Sequence, residues 1–290
     1  MIGATTKKIR NSKNYSQTQI TKGILHQTSY SKFELGKINL TVEHFNRILH
    51  RLDLSHDEFE YIHNNHQLTE RNYIIQSFFQ LRFIDISVLE EIIHKAEILL
   101  QSEEDRYIQD IYFISKGFIS LKRDGNFDIA TSYAQQVWNR LQKFDTWYLS
   151  DIYLINNILF LFPVETAISI SNLAIAQLER YHNLDIKYHL LTITFQYNLV
   201  HLLIREGYLK KALELNEQVI TNFKKRKIYF QTALSMLRHQ LLLAKINKDI
   251  YVEDNINNLF ELATLIGDRE LIEKLEEERT YLTQVLQLHL

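Results

Sequence analysis

The sequence has no cysteine, one proline (Pro163) and only seven glycines among 290 residues. Without cysteine there is no disulfide scaffold, no thiolate catalysis and no Cys-ligated metal, and a reducing compartment fits. Sheet-rich folds need frequent Gly and Pro at their turns, so this scarcity points to helices joined by short connections. Long apolar runs are also missing. The stretch 152–162 is interrupted by Asn156 and Asn157 and is too short to span a bilayer. The opening MIGATTKKIR carries charge but lacks the apolar region of a secretory signal. The expectation is a cytoplasmic protein with no membrane partner. What is present is 46% hydrophobic residues, which can bury a sizeable core. The length allows two domains on a prior of roughly 150 residues each.

Charge is unevenly distributed. Residues 1–51 carry nine lysines and arginines against Glu34 and Glu43, a net +7, whereas the other 239 residues carry 24 basic and 33 acidic side chains, a net −9. A basic head on an acidic body suggests that the head meets a polyanion, the alternative being a solvated basic face without a partner.

Apolar residues of the head recur at helical spacing in short segments, which predicts helices over 4–12, 17–22, 27–35, 42–52 and 57–62. Ser16, Thr41 and Ser55 stand where N-caps are needed, Ser55 with Glu58 as a capping box. Gly23 and Gly36 end the second and third helices, where a left-handed residue costs little. Two short helices joined by a tight turn fit a major groove. Lys7, Lys13, Lys22 and Lys37 sit where phosphates would pass.

The pattern Ser16-Gln17-x-x-Ile20-x-x-Gly23 followed by Ser31-x-Phe33-Glu34-x-Gly36 resembles the Xre/phage-repressor class of helix-turn-helix proteins. That resemblance gives Gln17 a contact to DNA backbone and near bases. It gives Gln27, Thr28, Ser29 and Lys32 the reading of base edges, and it makes Glu34 a fold residue. The chemistry agrees, since Gln can pair with adenine N6/N7 and Lys with guanine O6/N7. A small helical dimerisation domain is the competing reading. Residues 1–66 are thus expected to form a five-helix DNA-binding domain.

The remainder, 67–290, shows helical periodicity without strand alternation. The segment from Ile114 through Gly117, Gly125 and Phe127 to Ala130 aligns with that from Tyr197 through Leu202, Gly207 and Leu209 to Ala212. Each has a helix, a Gly at the turn, an apolar staple and a small residue for close packing, which is tetratricopeptide grammar. The expected hairpins cover 70–101, 106–144, 148–181, 186–225 and 228–266, with turns near Pro163 and 247–250 and a closing helix at 268–288. The apolar stripe of that last helix (Leu271, Ile272, Leu275, Tyr281, Leu282, Val285, Leu286, Leu288) suits dimer contact, its acidic face a solvent cap. The fold class is therefore all-α, a helix-turn-helix head followed by a tetratricopeptide-like solenoid. The concave face of such a solenoid comes from the first helix of each hairpin. Tyr153, Asn156, Asn157, Tyr188, Asn198 and Arg238 lie on those helices, with Trp147 just before one of them, and suit an extended peptide. Asn amides clamp its backbone, aromatics make side-chain pockets, and Arg238 takes a carboxylate. Pairing of these groups between helices is the alternative.

The order of head and body, with Ile20-Thr21-Lys22-Gly23-Ile24 and Ser31-Lys32-Phe33-Glu34, resembles the Rgg/GadR/MutR regulators, peptide-pheromone receptors of Gram-positive bacteria. The resemblance implies a homodimeric transcription regulator that binds promoter DNA and is switched by a short signalling peptide, with RNA polymerase a further candidate partner. Some relatives have an inter-subunit disulfide; lacking cysteine, this chain would dimerise non-covalently. The competing reading is a protein-interaction scaffold whose head does not bind DNA. No Gly-rich phosphate loop, HExxH helix or GxSxG elbow occurs, so neither an enzyme nor a cofactor is expected. The His63/His66 pair reads as solvated linker rather than metal site.

Overall fold

A computed structural model describes residues 1–81, 83–184, 187–247 and 252–288, the side chains of 187–189 excepted. Among the described residues the secondary structure is helical throughout, without strands. The chain divides into two compact units, Met1–Gln109 and Asp110–Leu290.

In the first unit, α1 (Ile2–Ser12), α2 (Gln17–Thr21), α3 (Gln27–Glu34), α4 (Val42–Arg51) and α5 (His56–His63) follow the expected order within a residue or two. Their boundaries have local causes. The Ser16 hydroxyl accepts from the Gln19 amide while the Gln19 side chain returns to the Ser16 amide, a complete capping box. Thr41 and Ser55 cap α4 and α5 by accepting from the amides of His44 and Glu58. Gly23 and Gly36, at φ +72° and +71°, leave α2 and α3 in the left-handed region that favours glycine. Ile9, Ile20, Tyr30, Phe33, Ile48, Leu49, Leu52 and Phe59 are buried together as the core of the head. α6 (Glu70–Gln80) and α7 (Ile86–Ser102) pack on each other in the same unit.

α1 crosses α3 so closely that a Cβ at Gly3 would lie 1.9 Å from the Phe33 carbonyl oxygen and 3.1 Å from the Glu34 Cα. Gly-to-Ala inside a helix ordinarily stabilises by about 0.5–1 kcal/mol. Here backbone blocks the new methyl, and Gly3→Ala is expected to destabilise the head by about 1–3 kcal/mol. Chemical denaturation of the two proteins decides the sign; a gain in stability would show that the helices do not cross this closely.

His63 is not a solvated linker residue. Its Nδ1 lies 2.7 Å from the Thr5 hydroxyl and its ring stacks on Phe59 at 5.9 Å, so it pins α5 to α1. Nothing local announces this contact, because Thr5 is 58 residues away along the chain.

α8 (Arg106–Asp124) begins at the end of the first unit and runs into the second. It is followed by α9 (Phe127–Leu141), α10 (Leu149–Ile158), α11 (Val164–Leu178), α12 (Lys187–Arg205), α13 (Leu209–Lys225), α14 (Tyr229–Asn247), α15 (Val252–Ile266) and α16 (Arg269–Val285). These pair as the expected hairpins. Gly125 and Gly207 turn at φ +60° and +79°, and Ala130 and Ala212 are buried just beyond. Gly117 faces α9, where a Cβ would lie in ordinary contact with the Ala130 carbonyl oxygen at 3.4 Å. α13 carries Ala212, Asn216, Val219 and Phe223 on one stripe and packs on both α12 and α14. The turn expected near 247–250 falls mostly outside the described residues. No helix among the described residues is long and apolar enough to cross a membrane.

Half of the expected α16 stripe is used within the chain. Leu271, Leu275, Leu282 and Leu286 are buried, and α16 packs on α14 and α15. They follow one another at steps of four, seven and four, the spacing of a single helix face. Ile272, Tyr281, Val285 and Leu288, the rest of the expected stripe, stay partly exposed.

Candidate functional sites of the head and the helical repeats

The head exposes one side of α3 and buries the other. Gln27, Thr28 and Lys32 are exposed and Ser29 is half-buried, whereas Tyr30, Phe33 and Glu34 are in the core. This division follows from helical spacing, since Tyr30 and Phe33 lie i,i+3 on the inner face. Beneath the outer face runs a polar chain. The Arg10 guanidinium meets the Glu34 carboxylate twice, at 2.6 and 3.0 Å, with both side chains almost wholly buried. Glu34 also accepts from the Gln17 amide at 2.8 Å, and the Gln17 carbonyl oxygen accepts from the Gln27 side chain. Bonding to Glu34 holds the Arg10 guanidinium above its ordinary value. Burial alone would push the Glu34 carboxyl up; the bonds from Arg10 and Gln17 and the Arg10 charge outweigh it and hold it low. Glu34 is thus a fold residue, and through Gln17 it orders the first residue of α3. Gln17 itself is half-buried in this chain.

The lysines differ among themselves. Lys37 is exposed past the end of α3. Lys13 is exposed as well, but its ammonium donates to the Leu52 carbonyl at 2.5 Å, at the end of α4. The network missed by the sequence is the arginine set: Arg10, Arg47 and Arg51 all donate into the head's own backbone. A charge count registers such side chains but not what they touch.

In the second unit the candidate peptide residues separate by burial. Trp147 is buried; its indole N–H donates to the Leu141 carbonyl at 2.9 Å and its backbone N–H to Gln177, so it is part of the packing of α9 and α11. Asn156 is buried and accepts from the Asn198 amide at 3.1 Å, which joins α10 to α12. Tyr153, Asn157 and Asn198 are partly exposed. The Asn157 amide returns to the Tyr153 carbonyl in its own helix at 2.9 Å. Tyr188 lies outside the described side chains.

Arg238 is not an open carboxylate receptor, because the chain already supplies the carboxylate. Its guanidinium donates to Glu278 of α16 at 2.5 Å and to the Tyr197 hydroxyl at 3.0 Å, and it lies over the Tyr197 ring at 4.0 Å. The His201 ring stands 5.2 Å from that of Tyr281. Burial pulls the Arg238 guanidinium down, yet Glu278 and Tyr197 outweigh it and leave it raised. Burial pushes Glu278 up, but Arg238 and His201 outweigh it and hold it low. Burial takes the Tyr197 phenol up to about 12 and the His201 imidazole down to about 4. Sequence reasoning missed Tyr197, His201 and Glu278. The last stands in a run of three glutamates, and only the fold picks one of them out.

Residues 104–277 match the C-terminal domain of the HTH-type transcriptional regulator Rgg, and residues 7–59 match a helix-turn-helix family. The chain belongs to the Rgg family. It is a family of transcriptional regulators, not of enzymes. The fold of this Rgg-family chain is shared by solved structures at low identity. A Listeria monocytogenes EGD-e protein described as a transcriptional regulator is 18% identical, with 99% of each chain covered and a TM-score of 0.75. The SHP pheromone receptor Rgg2 of Streptococcus dysgalactiae is 14% identical, with 97% of this chain and 99% of that one covered and a TM-score of 0.68. PlcR of Bacillus thuringiensis, solved with the peptide PapR7 and DNA, is 16% identical, with 94% and 98% covered and a TM-score of 0.68.

Proposed function

We propose that this Rgg-family regulator binds promoter DNA through its head, as a homodimer, and that a short signalling peptide bound by the helical repeats controls it. Residues 1–66 serve as the DNA-binding domain and 67–290 as the sensing and dimerisation domain. The observation that carries the DNA reading is the exposed face of α3, with Gln27, Thr28 and Lys32 outward over a fully packed core. Ser29 sits at the edge of that face, Gln17 reaches it through Gln27, and Lys37 follows the end of α3, whereas Lys13 is bonded to the Leu52 carbonyl. The two related structures named for a pheromone receptor and for a peptide–DNA complex support the peptide reading. On α10 and α12, Tyr153, Asn157 and Asn198 are partly exposed and would border such a ligand, with Asn156 bonded beneath Asn198. Trp147 and Arg238 are buried and serve helix packing, Trp147 through Leu141 and Gln177 and Arg238 through Glu278 and Tyr197. A peptide preferring one arrangement of the repeats by about 1–3 kcal/mol would suffice for regulation.

Selection of bound duplexes from a random-sequence pool by the full-length protein tests the DNA reading. The expected result is a motif of two related half-sites, one or more helical turns apart. Gln27→Ala and Lys32→Ala should each relax one position of the motif and cost about 1–3 kcal/mol of discrimination. An unchanged motif and affinity in both variants would remove α3 from DNA reading. Native mass spectrometry of the purified protein tests the peptide reading by the mass of any retained ligand.

A further inference from the structure

The end of α2 and the turn after it leave three carbonyls without a backbone partner. α2 is five residues long, and its C-cap Lys22 leaves the helical path at φ −52°, ψ 115°. The amides that follow turn back to Thr18 and Thr21: Lys22 donates to Thr18, and Ile24 and Leu25 both donate to Thr21. The carbonyls of Gln19, Lys22 and Gly23 are met instead by guanidinium groups of α4. Arg47 donates to Gly23 at 2.5 Å, and Arg51 forks to Gln19 at 2.7 Å and Lys22 at 3.2 Å. Arg47 and Arg51 are one turn apart, so they share a face of α4. That helix is fixed in the core by Ile48, Leu49 and Leu52. The entry to α3 has no cap of its own, since its N-cap His26 makes no side-chain bond.

We infer that Arg47 and Arg51 are positioning residues: they clamp the turn that aims α3, and so set base-reading geometry rather than neutralise phosphates. The inference rests on the DNA reading of α3 given above. Helix ends require partners for their last carbonyls, and a planar guanidinium offers two parallel donors where an ammonium offers a point charge. Four of the nine cations of the head thus bond to its own structure, Arg10 from a buried position and Lys13, Arg47 and Arg51 from exposed ones. Lys7, Lys8, Lys22, Lys32 and Lys37 remain for a polyanion.

Arg51→Lys separates the two roles, because it keeps the charge and loses the fork. The full-length protein and this variant are compared for affinity to a selected duplex and to a random-sequence duplex of equal length, with hydrogen exchange of residues 17–34 measured in parallel. The expected result is at least a tenfold loss of preference for the selected duplex, little change on random DNA, and faster exchange at the turn and the first turn of α3. Wild-type preference together with wild-type exchange in Arg51→Lys would overturn the clamp and leave the residue a plain phosphate contact. If the wild-type protein prefers no duplex, the DNA reading fails by itself. The exchange arm then still decides the clamp: faster exchange upholds it and unchanged exchange overturns it. Lys32→Ala, outward on α3, should lower affinity without altering exchange.

Discussion

Glu34→Gln is expected to destabilise the head by about 3–5 kcal/mol, the usual cost of leaving one member of a buried ion pair uncompensated. The side chain keeps its shape, so the loss falls on charge and bonding. Arg10 would stay buried without a counter-charge, and Gln17 would lose its anionic acceptor. The dependence on pH has a definite sign. The Glu34 carboxyl titrates below its ordinary value in the folded head, so its stabilisation is fully present above the unfolded value of about 4.3. It is lost as pH falls through the lower, folded value. Chemical denaturation of wild type and Glu34→Gln at a series of pH values should show a gap that is constant near neutrality and closes in acid. A gap below about 1 kcal/mol at neutral pH, or one that does not close, would contradict this account. Because the Glu34–Gln17–Gln27 chain leads to the exposed side of α3 proposed to read DNA, the same variant should also weaken any sequence preference of the head.

Arg238→Met should cost the second unit a similar amount, about 3–5 kcal/mol, and loosen α16 first. Glu278 would be left shielded without its cation, and Tyr197 would lose the group bound to its hydroxyl and stacked on its ring. Arg238→Met combined with Glu278→Met is expected to recover most of the loss, because two apolar side chains need no mutual neutralisation. The test is a double-mutant cycle followed by denaturation and by hydrogen exchange of α16. Additive losses would mean that the pair is not coupled. Acid acts on the same cluster through His201, which faces Arg238, Arg205, Glu278 and Tyr281. Its folded value of about 4 lies below the ordinary 6.5, so the unfolded chain takes up the proton first. Stability is therefore complete above about 6.5 and falls from there towards 4, by roughly 3 kcal/mol for a shift of this size. His201→Phe should flatten that decline.

Much of the architecture could be read from the chain because its causes are local. Caps at Ser16, Thr41 and Ser55, left-handed glycines at 23, 36, 125 and 207, and apolar steps of three and four each act within a turn of helix. Such signals placed α1 to α5 and the successive hairpins to within a few residues. They also put Gln27, Thr28 and Lys32 outside, because the inner face of α3 was already taken by Tyr30 and Phe33. Burial in the second unit was harder to foresee. Trp147, Asn156 and Arg238 carry residue types that suit a ligand, and types alone do not tell a surface from a seam between helices. Long-range partners decide that. The Asn156–Asn198 bond spans 42 residues and Arg238–Glu278 spans 40.

By itself the sequence determined an all-helical chain, a cationic head with the spacing of a helix-turn-helix, and a body of paired helices. Backbone propensity, capping and period are properties of neighbours along the chain. Only the tertiary structure decided which charges are free. Lys32 points outward, whereas Arg51 closes the end of α2 and Arg238 is neutralised by Glu278. A formal charge counts the same wherever it lies, but its electrostatic worth depends on the dielectric and the partners that folding brings to it.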